Sequence, residues 1–369
     1  MTGVMYLKTN LYIDARFFKN NHDGVSRYIT EVTNNLIENY NIYYCSNKKI
    51  NLPDKLKKEN YNILEYKKFS FLPGTVFIMF ILPFILLNKK GIFFGGSHTI
   101  PLFGMKNILV IHDLVAFEYP ETMTYIGKIL NKSSVYLSIL FSDRIVSVSK
   151  FTKERLESLF PKILKNKNIE IIPNSVDKTT FYKDINLKMD IKNITNKILN
   201  NYLLAVGTIE PRKNILELLK AYRNLLEKNI YKGKLILVGA SGWKNKDIHE
   251  YIRVNNLQKD VILPGYLQDN EINYLMNNCD LFVFPSLYEG FGIPPLEAYC
   301  SGAKVLTTIY SEMPNLNIDD FIFYDPLKDN LSEKILLAVN MNYCRHSKYH
   351  KTWNNSSSTL INVIENLKK

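Results

Sequence analysis

Glu289 and Glu297 bracket seven residues in Pro285-Ser-Leu-Tyr-Glu-Gly-Phe-Gly-Ile-Pro-Pro-Leu-Glu-Ala298, where residue types and spacing converge on one chemistry. The apolar run Leu281-Phe-Val-Phe284 before them has the length and β-propensity of a buried strand. Pro294-Pro295 suits the first turn of a helix, where a missing N–H costs little. The segment therefore reads as strand, Gly-rich loop, helix. Gly290 and Gly292, with Phe291 between them, let the loop backbone approach a ligand closely, and a helix starting near Ile293 turns N–H groups and its positive dipole end toward the same space. An anionic diphosphate fits there. Glu289 in the loop and Glu297 one turn into the helix can each accept hydrogen bonds from vicinal hydroxyls, as on a hexose or a ribose. Standing alone, the two would serve equally as surface or capping acids.

A second constellation lies upstream. Tyr202-Leu-Leu-Ala-Val206 reads as a strand and Gly207-Thr-Ile-Glu-Pro-Arg-Lys213 as a loop, with Gly207 and Thr208 at the strand end. Asn214 is the expected N-cap of a helix whose apolar residues are Ile215, Leu218, Leu219, Tyr222, Leu225 and Leu226, and Glu217 completes the pattern of a capping box. Arg212 and Lys213 then stand at a loop-to-helix junction, able to set two cations against a leaving diphosphate. Two solvated basic residues near a helix start is the plainer alternative.

In the first half, His112 follows the strand Ile108-Leu-Val-Ile111 and projects from its end, and Asp113 is placed to orient the imidazole. A lone histidine there is also a common structural feature. Gly24-Val-Ser-Arg27 follows the strand Leu11–Asp14 and opens a helix: Gly24 permits close backbone approach, and Arg27 adds charge or simply sits exposed.

Glu289-Gly-Phe-Gly-Ile-Pro-Pro-Leu-Glu-Ala298, followed by Ser301-Gly302, resembles the E-x7-E signature of retaining glycosyltransferases of the GT4 type. Gly207 to Lys213 is similar to that family's G-x-x-x-P-R-K, with Thr208 where many members carry a further Arg. Gly24-Val-Ser-Arg27 is similar to its G-x-x-R-Y near the diphosphate, and Pro173-Asn-Ser-Val-Asp177 to its P-N-G-V-D, with Ser175 replacing Gly. The resemblance implies a GT-B fold of class α/β: two Rossmann-like doubly wound domains facing a cleft, with a C-terminal helix crossing back to the first. It implies catalytic roles for Glu289, His112, Lys213 and Arg212, His112 touching the donor sugar. Substrate contacts are implied for Gly24, Arg27, Asp113, Gly207, Thr208, Gly290, Phe291, Gly292, Ile293 and Glu297. The donor would be a GDP-, dTDP- or UDP-linked sugar, with no further cofactor and no metal, since the sequence has no D-x-D triad. Leu-Tyr-Ile-Asp-Ala-Arg16 with His112-Asp113 is similar to bacterial mannosyl- and rhamnosyltransferases of surface-polysaccharide assembly, which implies a glycan acceptor, lipid-linked. A sugar-nucleotide epimerase of the same architecture and a non-catalytic sugar-nucleotide-binding scaffold remain as alternatives.

At 369 residues the chain suits two α/β domains. Strand-like runs alternate with helical patterns, which predicts parallel sheets. The expected division is 1–185, a low-complexity Lys/Asn/Ile linker at 186–201, a nucleotide-binding domain at 202–349, and a closing helix in 350–369 that belongs to the first domain. The net charge of +12 is uneven, +9 in residues 1–185 and +3 in 186–369. No nucleic-acid-binding motif accompanies it, so an anionic inner-membrane surface is the expected partner, with coding bias as the bland alternative. Cys45, Cys279, Cys300 and Cys344 show no metal spacing, and no signal peptide opens the chain, so the expectation is cytoplasmic, peripheral on the inner membrane face. The uncharged stretch 69–87 is broken by Pro73, Gly74 and Pro83 and barely reaches the roughly 20 residues of a bilayer crossing. It reads as a buried helix, with a lipid-facing surface as the alternative.

Overall fold

The computed structural model describes residues 8–19, 23–57, 61–184, 186–187, 201–242, 246–343 and 349–368. The chain divides into one unit of Met1–Ser175 with Thr352–Lys369 and a second of Val176–Lys351. The first division falls ten residues before the expected boundary at 185, and most of the expected linker, 188–200, lies outside the described residues.

The first unit is built on β1 (Thr9–Asp14), β2 (Tyr40–Ser46), β3 (Tyr61–Glu65), β4 (Ile92–Gly95), β5 (Lys106–Ile111), β6 (Arg144–Ser147) and β7 (Ile169–Ile171). They form a seven-stranded sheet in the order β3-β2-β1-β4-β5-β6-β7, with every pairing parallel. Parallel strands covered on both faces need near-continuous apolar runs, and Leu11 to Ile13, Ile92 to Phe94 and Ile108 to Ile111 are all buried. The helix that Gly24-Val-Ser-Arg27 was expected to open is Gly24–Thr33, followed by a separate 3-10 turn at Leu36–Glu38. The closing helix Trp353–Lys368 belongs to this unit. Its Trp353 ring meets Tyr28 edge-on, Ser356 Oγ donates to Pro173 O at 2.7 Å, and Lys106 Nζ donates to Leu367 O at 2.7 Å.

The stretch 69–87 is a helical run, Gly74–Val76, a π-helical turn at Phe77–Ile81, and Leu82–Leu86. Pro83 has no N–H to give, so the ladder slips to the wider register around it. Phe77, Ile78, Met79, Leu82 and Leu86 face the core, while Phe80, Phe84 and Leu87 are exposed. No helix among the described residues is long and apolar enough to cross a membrane.

The second unit carries β8 (Tyr202–Val206), β9 (Lys234–Val238), β10 (Val261–Gly265), β11 (Leu281–Phe284), β12 (Val305–Thr308) and β13 (Phe321–Tyr324) in the order β10-β9-β8-β11-β12-β13, again parallel throughout. The helix Ile215–Glu227 buries Ile215, Leu218, Leu219, Tyr222 and Leu225 against this sheet, with Leu226 partly covered. Each such side chain contributes roughly 1.5–3 kcal/mol of burial free energy.

In each sheet the strand order reverses once, between β1 and β4 in the first unit and between β8 and β11 in the second. Loops leaving adjacent strands in opposite directions open a crevice at the carboxyl edge, which is where doubly wound sheets bind ligands. Gly207 to Lys213 leaves β8 and Pro285 to Gly292 leaves β11, so both second-unit motifs flank that unit's reversal.

Candidate active site

The two loops of the second unit are stitched together. Leu287 N donates to Arg212 O at 2.9 Å, and Asn214 Nδ2 donates to Pro285 O at 3.3 Å. That second bond corrects the capping-box expectation. Asn214 adopts φ 56°, a left-handed conformation that Asn tolerates, and makes no side-chain cap. Its amide spans to the neighbouring loop instead, and Glu217 pairs with Lys220 at 3.7 Å.

This stitching brings Arg212, Lys213 and Glu289 into one ion cluster. Lys213 Nζ lies 2.7 Å from Glu289 Oε1, Arg212 Nη1 lies 2.7 Å from Glu289 Oε2, and Arg212 Nη2 lies 2.7 Å from Glu210 Oε1. Arg212 Nη1 also donates to Tyr288 O at 3.0 Å, and the Lys213 ammonium stands 4.6 Å from the Phe284 ring centroid. Burial would raise the Glu289 carboxyl, which is 8% exposed, yet Arg212 and Lys213 prevail and hold its pKa at about 2. Burial draws Lys213 below its ordinary value, with the Glu289 carboxylate opposing. The sequence reading set two cations apart from a sugar-binding acid; the geometry instead links the acid to both cations. With Glu210 included, two positive and two negative charges offset one another. Glu210 escaped the sequence reading because an acid two positions before Arg212 has no periodic signature. Its salt bridge depends on how the loop turns.

Glycines shape the edge. Gly207 adopts φ +150°, and at the neighbouring Gly239 a Cβ would fall 2.1 Å from Gly207 O, so two loop backbones pass in near contact. Thr208, beside Gly207, is exposed. Gly292 at φ +97° starts the helix Ile293–Cys300 without a side-chain cap. Because Pro294 and Pro295 carry no N–H, that start offers the N–H groups of Gly292 and Ile293 where a helix usually presents four, a narrower anion seat than the expected one. Gly290 and Phe291 complete the loop, and Phe291 is buried. A third loop, after β12, was missed by the sequence reading: Glu289 N donates to Tyr310 O at 2.9 Å and Glu312 N to Phe291 O at 3.1 Å. Glu297 lies in the second helical turn and is 5% exposed.

In the first unit, His112 immediately follows β5. Its Nε2 lies 2.8 Å from Gly96 O, and a carbonyl can only accept, so the network assigns the proton to Nε2 and leaves Nδ1 as the acceptor. Asp113, expected to orient this ring, instead accepts from Val115 N at 3.2 Å. The acceptor that holds the ring is a backbone carbonyl from the loop after β4. Burial, reinforced by His98, lowers the His112 pKa to about 4, so the imidazole is neutral at neutral pH. Gly24 and Arg27 occupy the first turn of Gly24–Thr33, after β1, where Asp23 caps Ser26 N at 2.7 Å. Arg16 clamps Asp14 at 2.6 Å and Thr99 Oγ1 at 2.9 Å, tying the end of β1 to the loop after β4.

Residues 190–357 match the family model described as glycosyl transferases group 1. The chain is 27% identical over 259 residues to O-antigen chain mannosyltransferase B of Escherichia coli, covering 68% of this chain and 66% of that one. It is 28% identical over 226 residues to O-antigen chain mannosyltransferase RfbU of Salmonella typhimurium, covering 61% and 58%. The matched region thus spans less than two thirds of either relative's own length. Among solved structures, Anabaena HepE in complex with UDP-glucose superposes with a TM-score of 0.65 at 14% identity, covering 90% of this chain and 89% of that one. WaaG, a glycosyltransferase involved in lipopolysaccharide biosynthesis, superposes with a TM-score of 0.65 at 15% identity, covering 90% of each. Residues 190–357 thus match the group 1 glycosyl transferases, and the two doubly wound units have the fold of GT-B glycosyltransferases.

Proposed function

We propose that this protein transfers a hexosyl or deoxyhexosyl group, mannose or rhamnose favoured, from a sugar nucleotide to a glycan acceptor with retention of configuration. The observation that carries the reading is the Glu210–Arg212–Glu289–Lys213 cluster at the strand-order reversal of the second unit. A diphosphate entering there competes with Glu289 and Glu210 for the same two cations. As the bond to the sugar breaks, charge grows on the departing phosphate, and Arg212 and Lys213 are already in place to meet it, which is where preorganised charge lowers a barrier most. Glu289, drawn from the cations, turns its oxygens to the sugar hydroxyls. Gly207, Thr208, Gly290, Phe291, Gly292 and Ile293 line the donor, Glu297 holds the ribose diol, and Gly24 and Arg27 approach the diphosphate. His112 touches the donor sugar, and the departing phosphate oxygen takes the acceptor proton.

The names of the relatives, both O-antigen chain mannosyltransferases, support a role in surface-polysaccharide assembly, and a lipid-linked acceptor is part of the proposal. Peripheral attachment to an anionic membrane surface is part of the proposal. The helix Tyr125–Phe141 supports it: Tyr125 and Ile126 are 73% and 71% exposed, and Ile129, Leu130, Tyr136 and Leu140 continue the outward stripe. Its charges are Lys128 and Lys132, with no acid, as on helices that lie in a bilayer interface.

A panel of GDP-, dTDP- and UDP-linked sugars, followed for nucleoside diphosphate release with and without glycan acceptor, tests the reading. Acceptor-dependent release from one donor is the expected result. Free epimerised nucleotide without acceptor would overturn it.

A further inference from the structure

Six described non-glycine residues have positive φ; five are asparagines and the sixth is His98, at φ 53°. For any residue but glycine this region is uncommon, so something must hold His98 there. The hydrogen bonds identify it. His98 N donates to Val110 O at 2.8 Å, while its ring Nε2 accepts from His112 N at 2.9 Å and from Asp113 N at 3.3 Å. These two N–H groups lie just past the end of β5, beyond the sheet ladder. A partly buried donor left there without an acceptor would forfeit its hydrogen bond. Two residues earlier, Gly96 O receives Nε2 of the His112 ring at 2.8 Å. One short turn, Gly96 to His98, therefore grips both the backbone and the side chain of His112. The left-handed residue is what lets it face the strand end twice.

We propose that His98 is a positioning residue: its Nε2 fixes the backbone at His112 and Asp113, and so presents the unprotonated Nδ1 of His112 to a hydroxyl of the donor sugar. This rests on the proposed contact of His112 with the donor. His98 touches no reacting atom. Its own proton must sit on Nδ1, because Nε2 accepts.

Two substitutions separate this role from backbone fit. His98→Asn tolerates the left-handed conformation but ends too short to reach the two N–H groups, whereas His98→Gln carries an acceptor oxygen at about the reach of Nε2. Turnover, donor KM, thermal midpoint and the long-range proton–nitrogen spectrum of the His112 ring are measured in both, with His112→Gln as control. For His98→Asn the expected result is a folded protein whose kcat falls about 10- to 100-fold, the range a small misplacement costs. Donor KM should change little, and His112 should lose its single-tautomer nitrogen pattern. For His98→Gln, both kcat and the pattern should return toward wild type. A wild-type kcat and pattern in His98→Asn overturns the proposal, as does a folded His98→Gln that restores neither. If His112→Gln itself leaves turnover unchanged, the donor contact of His112 fails, while the nitrogen spectra still decide whether His98 positions the ring.

Discussion

Glu289 is the residue on which the site turns, because its carboxylate bridges both cations. Its folded pKa of about 2 lies below the ordinary 4.5, so the ion pairs stabilise the fold above the ordinary value, and that contribution is lost as pH falls from about 4.5 toward 2. Unfolding measured against pH for wild type and Glu289→Gln should show a difference that is constant near neutrality and shrinks across that window. A difference unchanged by acid would contradict the pairing. The two glutamates should also separate in kinetics: Glu289→Ala should lower kcat strongly, whereas Glu297→Ala should mainly weaken nucleoside diphosphate affinity, since ribose contacts act alike in ground and transition states. Calorimetric titration of both variants checks this, and equal losses of affinity would argue against the division of roles. Glu289, Arg212 and Lys213 were legible because short motifs fix them beside glycines and a helix start. Glu210 and the Gly96 carbonyl were not. One is an acid whose partner depends on a loop turn, and the other is a backbone acceptor with no side-chain signature. Asp113 was assigned the carbonyl's task because adjacency in sequence stood in for adjacency in space.

Among the elements, the strands that announced themselves were apolar runs buried almost throughout: β8 and β11 have the expected bounds. The strands that escaped were β3, β4 and β13. β3 is an edge strand with Asn62 and Ile63 exposed, while β4 starts directly after Gly91 and β13 directly after Asp319-Asp320. The stretch 69–87 could not be resolved by hydropathy because the whole segment is apolar, and only its packing separates an inner from an outer face. Phe77 is fully buried and Phe80 is 44% exposed. Phe77→Ser should therefore cost roughly 3 kcal/mol or more of unfolding free energy and Phe80→Ser under about 1 kcal/mol, read from denaturant midpoints. Similar losses at both positions would place the whole segment in the core.

At the scale of the whole molecule, the excess of positive charge in residues 1–185 and the outward apolar stripe of Tyr125–Phe141 belong to the same unit. The protein should sediment with anionic vesicles at low salt and leave them at high salt, where screening shortens the reach of the lysines to a few ångströms. Tyr125→Ser with Ile126→Ser should weaken that binding while leaving transfer to a soluble acceptor intact; equal binding by the double variant would remove this helix from the contact. The central claim concerns the second unit, where two cations and not a metal are assigned to the leaving diphosphate. Nucleoside diphosphate release in the presence of acceptor, measured in EDTA for wild type and Lys213→Ala, tests it most directly. Wild type should keep full turnover, and Lys213→Ala should lose about 100-fold or more, as loss of a preorganised charge stabiliser does. A wild-type enzyme silenced by EDTA and restored by a divalent cation, or a Lys213→Ala variant of undiminished turnover, would contradict it.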